Sequence, residues 1–204
     1  DGAPPAAASG RAMFPGQPAS PAARGVADWI VDSHDNQGLP FVIVDKAQAR
    51  ILVFDRDGRL SGAAAALLGL AHGDDSVPGI GERKLSTIRP EERTTPAGRF
   101  VSALGQDLGE RDVVWVDYEA AISLHRVVTS KLKEQRLRRL ATPTPDDNRI
   151  SYGCINMPVA FFDNELWPLF QAGHGLVYVL PEELPLEQVF AQAYDPAARQ
   201  VAAR

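Results

Sequence analysis

Short apolar runs separated by turn-forming residues dominate the chain from about residue 40 onward. Runs of this length, bounded by Gly, Pro, Asp and Asn, are typical of β-strands. The first two flank a short turn and predict a β-hairpin, and an Asp-Gly pair predicts a second tight turn after them. The strands predicted in this way lie at 41–45, 49–54, from 60 onward, and at 100–102, 113–117, 121–125 and 175–180.

Few segments carry a helical pattern. Residues 63–68 have strong helix propensity, but this run is short and lies between two glycines after a hairpin turn, and we interpret it as a strand. Residues 158–167 predict a helix, with Pro158 at its first position and Pro168 ending it. Residues 26–31 predict one short helical turn. Many short strands and few helices together predict a mostly β fold, a mixed β-sandwich or barrel.

Composition suggests where the chain divides. Residues 1–36 are rich in Ala and Pro, and we expect a flexible N-terminal segment there. We expect the main domain over 37–181, with an inserted lid at about 128–148, followed by a helical tail over 182–204. Residues 72–96 form a long loop dense in Gly, Pro and charge, and loops of that length are usually functional or disordered.

Charge and hydropathy narrow the function classes. Hydrophobic residues make up 45% of the 204 positions and charged residues 23%, as in ordinary globular proteins. The net charge of −5 provides no basic footprint for nucleic acid, and no apolar run approaches the length of a membrane span. The chain begins at Asp1 without an initiator Met, which a cleaved secretory signal or a trimmed sequence would explain.

The single cysteine, Cys154, lies in an informative setting. A lone Cys is, by itself, more often a small buried apolar residue than a reactive one. This one follows Gly153 and precedes a predicted helix. Glycine lets the backbone approach a substrate closely, and N–H groups near a helix terminus stabilise both a thiolate and an oxyanion. These neighbours favour a nucleophile.

A nucleophilic thiol needs a base beside it. His125 is the best candidate, because it ends a predicted strand that can run beside the loop holding Cys154. The other three histidines, which lie in polar or Gly-rich surroundings and fit a surface or core role, are His34, His72 and His174.

Two motifs resemble those of a known family. Residues 151–156, Ser-Tyr-Gly-Cys-Ile-Asn, preceded by His125, are similar to the catalytic motif of YkuD-type L,D-transpeptidases, in which a His and a spacer precede Ser/Thr-His-Gly-Cys. Residues 94–100, Thr-Thr-Pro-Ala-Gly-Arg-Phe, resemble the family's Thr-Pro-x-Gly-x-Phe signature. The likeness spans roughly residues 40–181 and implies a YkuD-like mixed β-sandwich or barrel catalytic domain.

The resemblance also implies roles for individual residues. Cys154 would be the nucleophile and His125 its base, oriented by the carbonyl of Ser151. The backbone N–H groups of Gly153 and Cys154 would form part of an oxyanion hole. The further candidates for contacts to the oxyanion or to substrate are Tyr152, Asn156 and Arg126. No cofactor and no metal is implied, since His, Asp and Glu do not cluster at ligand spacing.

The chain departs from the family pattern in two places. Tyr152 stands where the family usually has a second His. The spacer of 25 residues between His125 and Ser151 is longer than is typical, and its segment 130–140 holds five basic residues and one acidic residue. We expect a short amphipathic helix there that caps the cleft, with cations that meet substrate carboxylates. The alternative is a solvated helix face. The four apolar residues predicted to share one side of this helix are Val128, Leu132, Leu137 and Leu140.

The implied substrate is peptidoglycan. The thiol would attack the carbonyl of the third residue of a tetrapeptide stem, release D-Ala, and pass the acyl group from a thioester to an amine. That amine would belong to a second stem or to a lipoprotein lysine, in a periplasmic or otherwise extracytoplasmic setting related to cell-wall biogenesis and cell shape. Two alternatives stay open: a hydrolase on the same Cys-His scaffold, either an L,D-carboxypeptidase or a crosslink-cleaving enzyme, and a non-catalytic wall-binding module.

Overall fold

The computed structural model describes residues 10–202, and a large β-sheet forms its centre. Eight strands form one sheet in the order β3-β2-β1-β10-β5-β6-β7-β9, and β4 pairs with β8. The prediction of a mostly β fold with few helices is confirmed. The strands are β1 (Phe41–Asp45), β2 (Arg50–Phe54), β3 (Leu60–Ala65), β4 (Leu68–Gly69), β5 (Gly98–Gln106), β6 (Asp112–Asp117), β7 (Ile122–Arg126), β8 (Arg149–Ser151), β9 (Ile155–Met157) and β10 (Gly175–Val179).

The helices are short, apart from the first. Single 3-10 turns lie at Ile80–Glu82, Leu85–Thr87, Pro90–Glu92 and Leu132–Glu134, and a π-helical turn lies at Phe162–Leu166. Within residues 10–202 no helix has the length and apolar character needed to cross a membrane. The α-helices are α1 (Pro21–Ser33), α2 (Arg136–Ala141), α3 (Val159–Phe161), α4 (Trp167–Gln171), α5 (Leu186–Val189) and α6 (Pro196–Ala202).

Two hydrophobic cores lie on the two faces of the sheet. Successive side chains of a strand point to opposite faces. On β1, Val42 and Val44 belong to one core, with the helical segment 159–171, whereas Phe41 and Ile43 belong to the other, with α1. Because both faces are covered, the central strands are continuous apolar runs rather than alternating ones.

Helix α1 corrects the prediction for the N-terminal segment. The expectation of a flexible segment over 1–36 is wrong for 21–33, and residues 1–9 lie outside the described part of the chain. Ser20 caps the helix by accepting the N–H of Ala23, and a proline occupies the first turn, where no N–H is needed. Val26 and Ile30 are buried on one face, so the predicted turn at 26–31 belongs to a longer helix that packs on the sheet.

Pro168 does not end the helix that begins after Pro158. The segment continues to Gln171 because the π-helical turn shifts the hydrogen bonding: Trp167 donates its N–H to the carbonyl of Phe162, five residues back. Pro168 follows at the start of α4, where the absence of an N–H donor costs little.

The alanine-rich run is a strand in its first part, as predicted. Ala64 pairs with Ile51 in an antiparallel ladder, and the strand ends at Ala65. Gly62 lies against the helical segment, where an added Cβ would come within 3.0 Å of the Glu165 side chain. Tertiary pairing therefore overrides the local helix propensity.

A buried ion network ties the long loop to the sheet. Lys46 is fully buried, and its ammonium group donates to the carbonyls of Gly73 and Thr95 at 2.6 and 2.7 Å and to Asp74 at 2.7 Å. The other contacts of the Asp74 carboxylate are the backbone N–H groups of residues 182–184, at 2.7–2.9 Å. The network thereby joins both ends of the loop 72–96 to Lys46 and to the segment 182–184.

The Asp74 carboxylate should make the fold sensitive to acid. Burial alone would raise the pKa of Asp74, but the hydrogen bonds from Lys46 and from three backbone N–H groups lower it from 3.8 to about 2. A carboxyl with a lowered folded-state pKa contributes stability above its unfolded pKa and loses it as the pH falls through the folded value. We therefore expect stability to fall between about pH 4 and pH 2.

Urea unfolding of the parent and Asp74→Asn at several pH values between 5 and 2 checks this expectation. The amide does not titrate in this range, so the variant should be less stable at pH 5 and should lose less stability on acidification than the parent. Equal pH slopes for the two proteins would contradict the assignment.

Candidate active site

The sheet edge brings the predicted nucleophile and base together. Strands β7 and β9 are parallel neighbours in which Leu124 pairs with Ile155 and His125 pairs with Asn156. Cys154 directly precedes β9, so its side chain lies beside the beginning of β7, next to Ala121 and Ser123. Alternate residues of a strand share a face. Positions 123 and 125 of β7 are therefore on the same face.

The Cys154 thiol lies among polar groups. It is half-buried, and its sulfur is 3.6 Å from the Ser123 hydroxyl and 3.5 Å from the carbonyl oxygen of Ala121. Burial would raise the pKa of this thiol, but the neighbouring side chains of His125 and Ser123 outweigh burial and lower it. The site therefore favours a thiolate, which is the nucleophilic form.

The tautomer of His125 follows from its hydrogen bond. Its Nδ1 lies 2.7 Å from the carbonyl oxygen of Arg126. A carbonyl only accepts, so Nδ1 carries the hydrogen and Nε2 of the neutral ring can take a proton. The prediction that the Ser151 carbonyl orients His125 is wrong, because the carbonyl of Arg126 does so; the Ser151 carbonyl accepts the N–H of Leu70 at 2.9 Å.

The loop 151–154 is held by the Ser151 side chain. Its hydroxyl accepts the N–H of Gly153 at 3.0 Å and donates to the carbonyl of Cys154 at 2.6 Å. The Gly153 N–H is thus already bonded, which contradicts its predicted role in an oxyanion hole. In the described part of the chain no protein acceptor receives the N–H of Cys154 or of Tyr152. Those two donors are free to bind an oxyanion.

Glycine is required at position 153. Its φ of +135° lies in the left-handed half of the map, and an added Cβ would lie 2.6 Å from the carbonyl oxygen of Thr94. The next residue of the Thr-Pro signature fastens the same loop, because Thr95 donates to the Gly153 carbonyl at 2.7 Å and accepts the N–H of Gly69 at 2.9 Å. The signature is therefore a structural support for the loop 151–154.

A cleft opens over the thiol. It has a volume of about 290 Å³, and both Cys154 and His125 line it. Its lining includes residues of the loop 72–96 and of the segment 130–136. Tyr152 lines the cleft too, with the Arg93 guanidinium 4.2 Å from its ring centre, so its ring is held in place by a cation–π contact.

Two predicted contact residues do not line this cleft. Asn156 is fully buried and bonded to its neighbours, donating to the Cys154 carbonyl at 3.3 Å and accepting from Arg136 at 2.6 Å. It supports the loop and the inserted segment instead of meeting a ligand. Arg126 turns away from the cleft and pairs with Asp163 at 2.7 Å.

The inserted segment differs from the single amphipathic helix that was predicted. A 3-10 turn and the short helix α2 replace it, and Leu132 and Leu137 are 84% and 60% exposed. Arg139 donates to the backbone carbonyls of Glu134 and Asp147, which fixes the segment through polar contacts rather than apolar packing. Of its five cations only two border the cleft, Lys131 and Arg136.

Ser123 was missed by the sequence analysis. It is 4% exposed and lies two residues before His125 on β7. The available signal was the strand period of two, which places positions 123 and 125 on one face.

Comparison with known proteins gives weak likenesses only. No protein-family model and no curated protein matches the chain. Among solved structures, the helical cell shape determining protein Pgp2 from Campylobacter jejuni is 16% identical with a TM-score of 0.45, over 72% of this chain and 49% of that one. An L,D-transpeptidase from Mycobacterium tuberculosis H37Rv is 15% identical with a TM-score of 0.41, over 69% of this chain and 57% of that one.

A third solved structure has the same level of likeness. The L,D-transpeptidase from Xylanimonas cellulosilytica DSM 15894 is 16% identical with a TM-score of 0.40, over 69% of this chain and 60% of that one. The chain thus spans about half to three fifths of the length of these three structures. Two of them are L,D-transpeptidases.

Proposed function

We propose that this chain is a cysteine acyltransferase of the L,D-transpeptidase type that acts on peptide stems of peptidoglycan. Cys154 is the nucleophile and His125 the base. The observation that carries the proposal is a thiol whose pKa is lowered by the neighbouring His125, at the wall of an open cleft. A half-buried cysteine with a structural role alone would need neither a histidine nor an open approach.

The proposed reaction has two halves. The thiol proton passes to Nε2 of His125, and the thiolate attacks the carbonyl carbon of the third stem residue. The N–H groups of Cys154 and Tyr152 bind the resulting oxyanion. When the tetrahedral intermediate collapses, the bond to the terminal D-Ala breaks, its nitrogen takes the proton from His125, and a thioester remains on Cys154.

The second half transfers the acyl group. An acceptor amine loses a proton to His125 and attacks the thioester carbonyl, which releases the Cys154 thiolate. The acceptor belongs to a second stem or to a lipoprotein lysine, and the setting is the periplasm or another extracytoplasmic space. The proposed substrate supports this location, because peptidoglycan lies outside the cytoplasm.

Product analysis tests the proposal. The purified chain is incubated with tetrapeptide-stem muropeptides, and the products are identified by mass. We expect release of D-Ala together with crosslinked dimers. Tripeptide stems without dimers would replace the transferase by the hydrolase alternative, since water would then be the acceptor. Unchanged muropeptides would contradict both and favour a binding module.

Arg136 should bind a carboxylate of the substrate. Its side chain is 12% exposed, borders the cleft, and is held by Glu134 at 2.6 Å and by Asn156. A charge-assisted hydrogen bond is worth about 1.5–3 kcal/mol, so Arg136→Gln should raise the Michaelis constant for stem peptides about tenfold or more. Steady-state kinetics at low and high salt measures this effect, which should shrink as salt rises.

Arg138 provides the matched control. It belongs to the same helix but is exposed and contacts Gln135 at 3.0 Å, so Arg138→Gln should leave the Michaelis constant unchanged. A peptide with its carboxylates amidated should be handled equally by the parent and by Arg136→Gln. The account of Arg136 is wrong if Arg138→Gln has the same effect, or if amidation leaves the difference intact.

A further inference from the structure

A buried hydroxyl faces the reacting sulfur from the same strand as the base. The Oγ of Ser123 lies 3.6 Å from the sulfur of Cys154, and the residue is 4% exposed. Among the hydrogen bonds of residues 10–202, this is the only one that the Ser123 side chain makes. Ile122 and Leu124, its neighbours on β7, belong to the hydrophobic core, and the alternation of a strand places Ser123 on the other face, which it shares with His125.

We infer that Ser123 is a catalytic residue, which donates its hydroxyl hydrogen to the Cys154 thiolate and thereby stabilises the nucleophile. The inference rests on the proposed role of Cys154 and adds a third group to the pair. No bond to Ser123 forms or breaks. The thiol proton goes to Nε2 of His125, while the hydroxyl keeps its own proton and turns it towards the sulfur.

The surroundings of the sulfur explain why a hydroxyl is needed there. The carbonyl of Ala121, at 3.5 Å, can accept a hydrogen bond from the thiol but repels the thiolate. A hydroxyl both accepts and donates hydrogen bonds. Ser123 can therefore accept the hydrogen of the Cys154 thiol and, once the thiol has lost its proton, donate its own hydroxyl hydrogen to the thiolate. Because the sulfur is half-buried, water replaces such a donor poorly. A thiolate without a hydrogen-bond donor there would have a high free energy.

The inference is tested by alkylation of the single thiol with iodoacetamide over a range of pH, which requires no substrate. A hydrogen bond to a charged group accounts for about a tenfold change in the ionisation equilibrium. The more basic thiolate of Ser123→Ala is also a better nucleophile, which offsets part of the loss. We therefore expect alkylation near neutral pH to slow about threefold to tenfold, and the profile to move to higher pH.

The plateau rate at high pH separates a chemical role from a structural one. Loss of the donor should leave that plateau equal or higher, whereas a misplaced sulfur would lower the rate at every pH. Ser123→Thr keeps the hydroxyl and should keep the parent profile. Ser102→Ala is the matched control, because Ser102 is a buried strand serine that contacts the carbonyl of Phe100 rather than the thiol.

Three results would overturn the inference: a Ser123→Ala profile that superimposes on that of the parent, a uniform fall at all pH values, or the same shift in Ser102→Ala. If Ser123→Ala does not fold, Ser123→Gly removes the same hydroxyl and gives the same comparison. Failure of the muropeptide assay leaves this test intact, since only the thiol is titrated. Conversely, an unshifted profile would contradict the role of Ser123 but would not bear on the proposed roles of Cys154 and His125.

Discussion

Replacing Cys154 by alanine is expected to abolish turnover of stem peptides, by roughly 10⁵-fold or more, since loss of the nucleophile removes the covalent route. The chain has no second cysteine that could take over. The fold should not change, because the loop 151–154 is held by the Ser151 side chain and by backbone groups that alanine retains. Steady-state assays of D-Ala release, with thermal melting of the same samples, measure both effects.

A variant of the proposed base, His125, complements this test, and a variant of an exposed histidine is its control. His125→Ala should also abolish turnover, and its thiol should alkylate more slowly at neutral pH because the group that lowers the thiol pKa is gone. His72→Ala is the control: the His72 side chain is 67% exposed and contacts Glu182, away from the thiol. Retained activity in Cys154→Ala, with an unchanged melting temperature, would refute the assignment of the nucleophile.

Lys46→Met is expected to destabilise the fold by about 3–5 kcal/mol, the usual cost of removing one partner of a buried ion pair. The variant leaves the Asp74 carboxylate without its counterion, although the Asp74 side chain is only 2% exposed. It also leaves the carbonyls of Gly73 and Thr95 without their donor. Because Thr95 also fastens Gly153, activity should fall together with stability. Urea unfolding at neutral pH measures the loss in the free energy of unfolding.

Two further variants make this prediction specific. Lys133→Met makes the same change on the inserted segment at an exposed position, where the effect should stay within about 0.5 kcal/mol. The double variant Lys46→Met with Asp74→Asn should be less destabilised than the sum of the single variants, because it removes both charges together. Additive effects, or a loss below about 1 kcal/mol for Lys46→Met, would mean that the network contributes little.

The sequence predicts which side chains lie together at this site better than it predicts their hydrogen bonds. A single cysteine after a glycine, with a histidine earlier at the end of a strand, was enough to select Cys154 and His125. Both residues line the same cleft, because parallel pairing of β7 and β9 brings them to one edge of the sheet. The strand at 41–45 was also predicted from its sequence, since a strand covered on both faces is a continuous apolar run.

What the sequence missed depends on contacts between distant segments. The sequence does not show which carbonyl orients His125: the ring bonds to the carbonyl of Arg126, and the Ser151 carbonyl accepts the N–H of Leu70. The inserted segment was misread because its leucines suggested packing, whereas arginine contacts to backbone carbonyls hold it. Helix α1 was underestimated, because an Ala- and Pro-rich composition hid a serine cap followed by a proline.

The most direct test of the proposed nucleophile is the mass of the intact chain, quenched with acid during reaction with a tetrapeptide stem. The account predicts an adduct equal to the stem without its terminal D-Ala, located on the peptide containing Cys154, released by hydroxylamine as a thioester is, and absent from Cys154→Ala. Release of D-Ala by the parent with the acyl group on another residue, or equal release by Cys154→Ala, would contradict it.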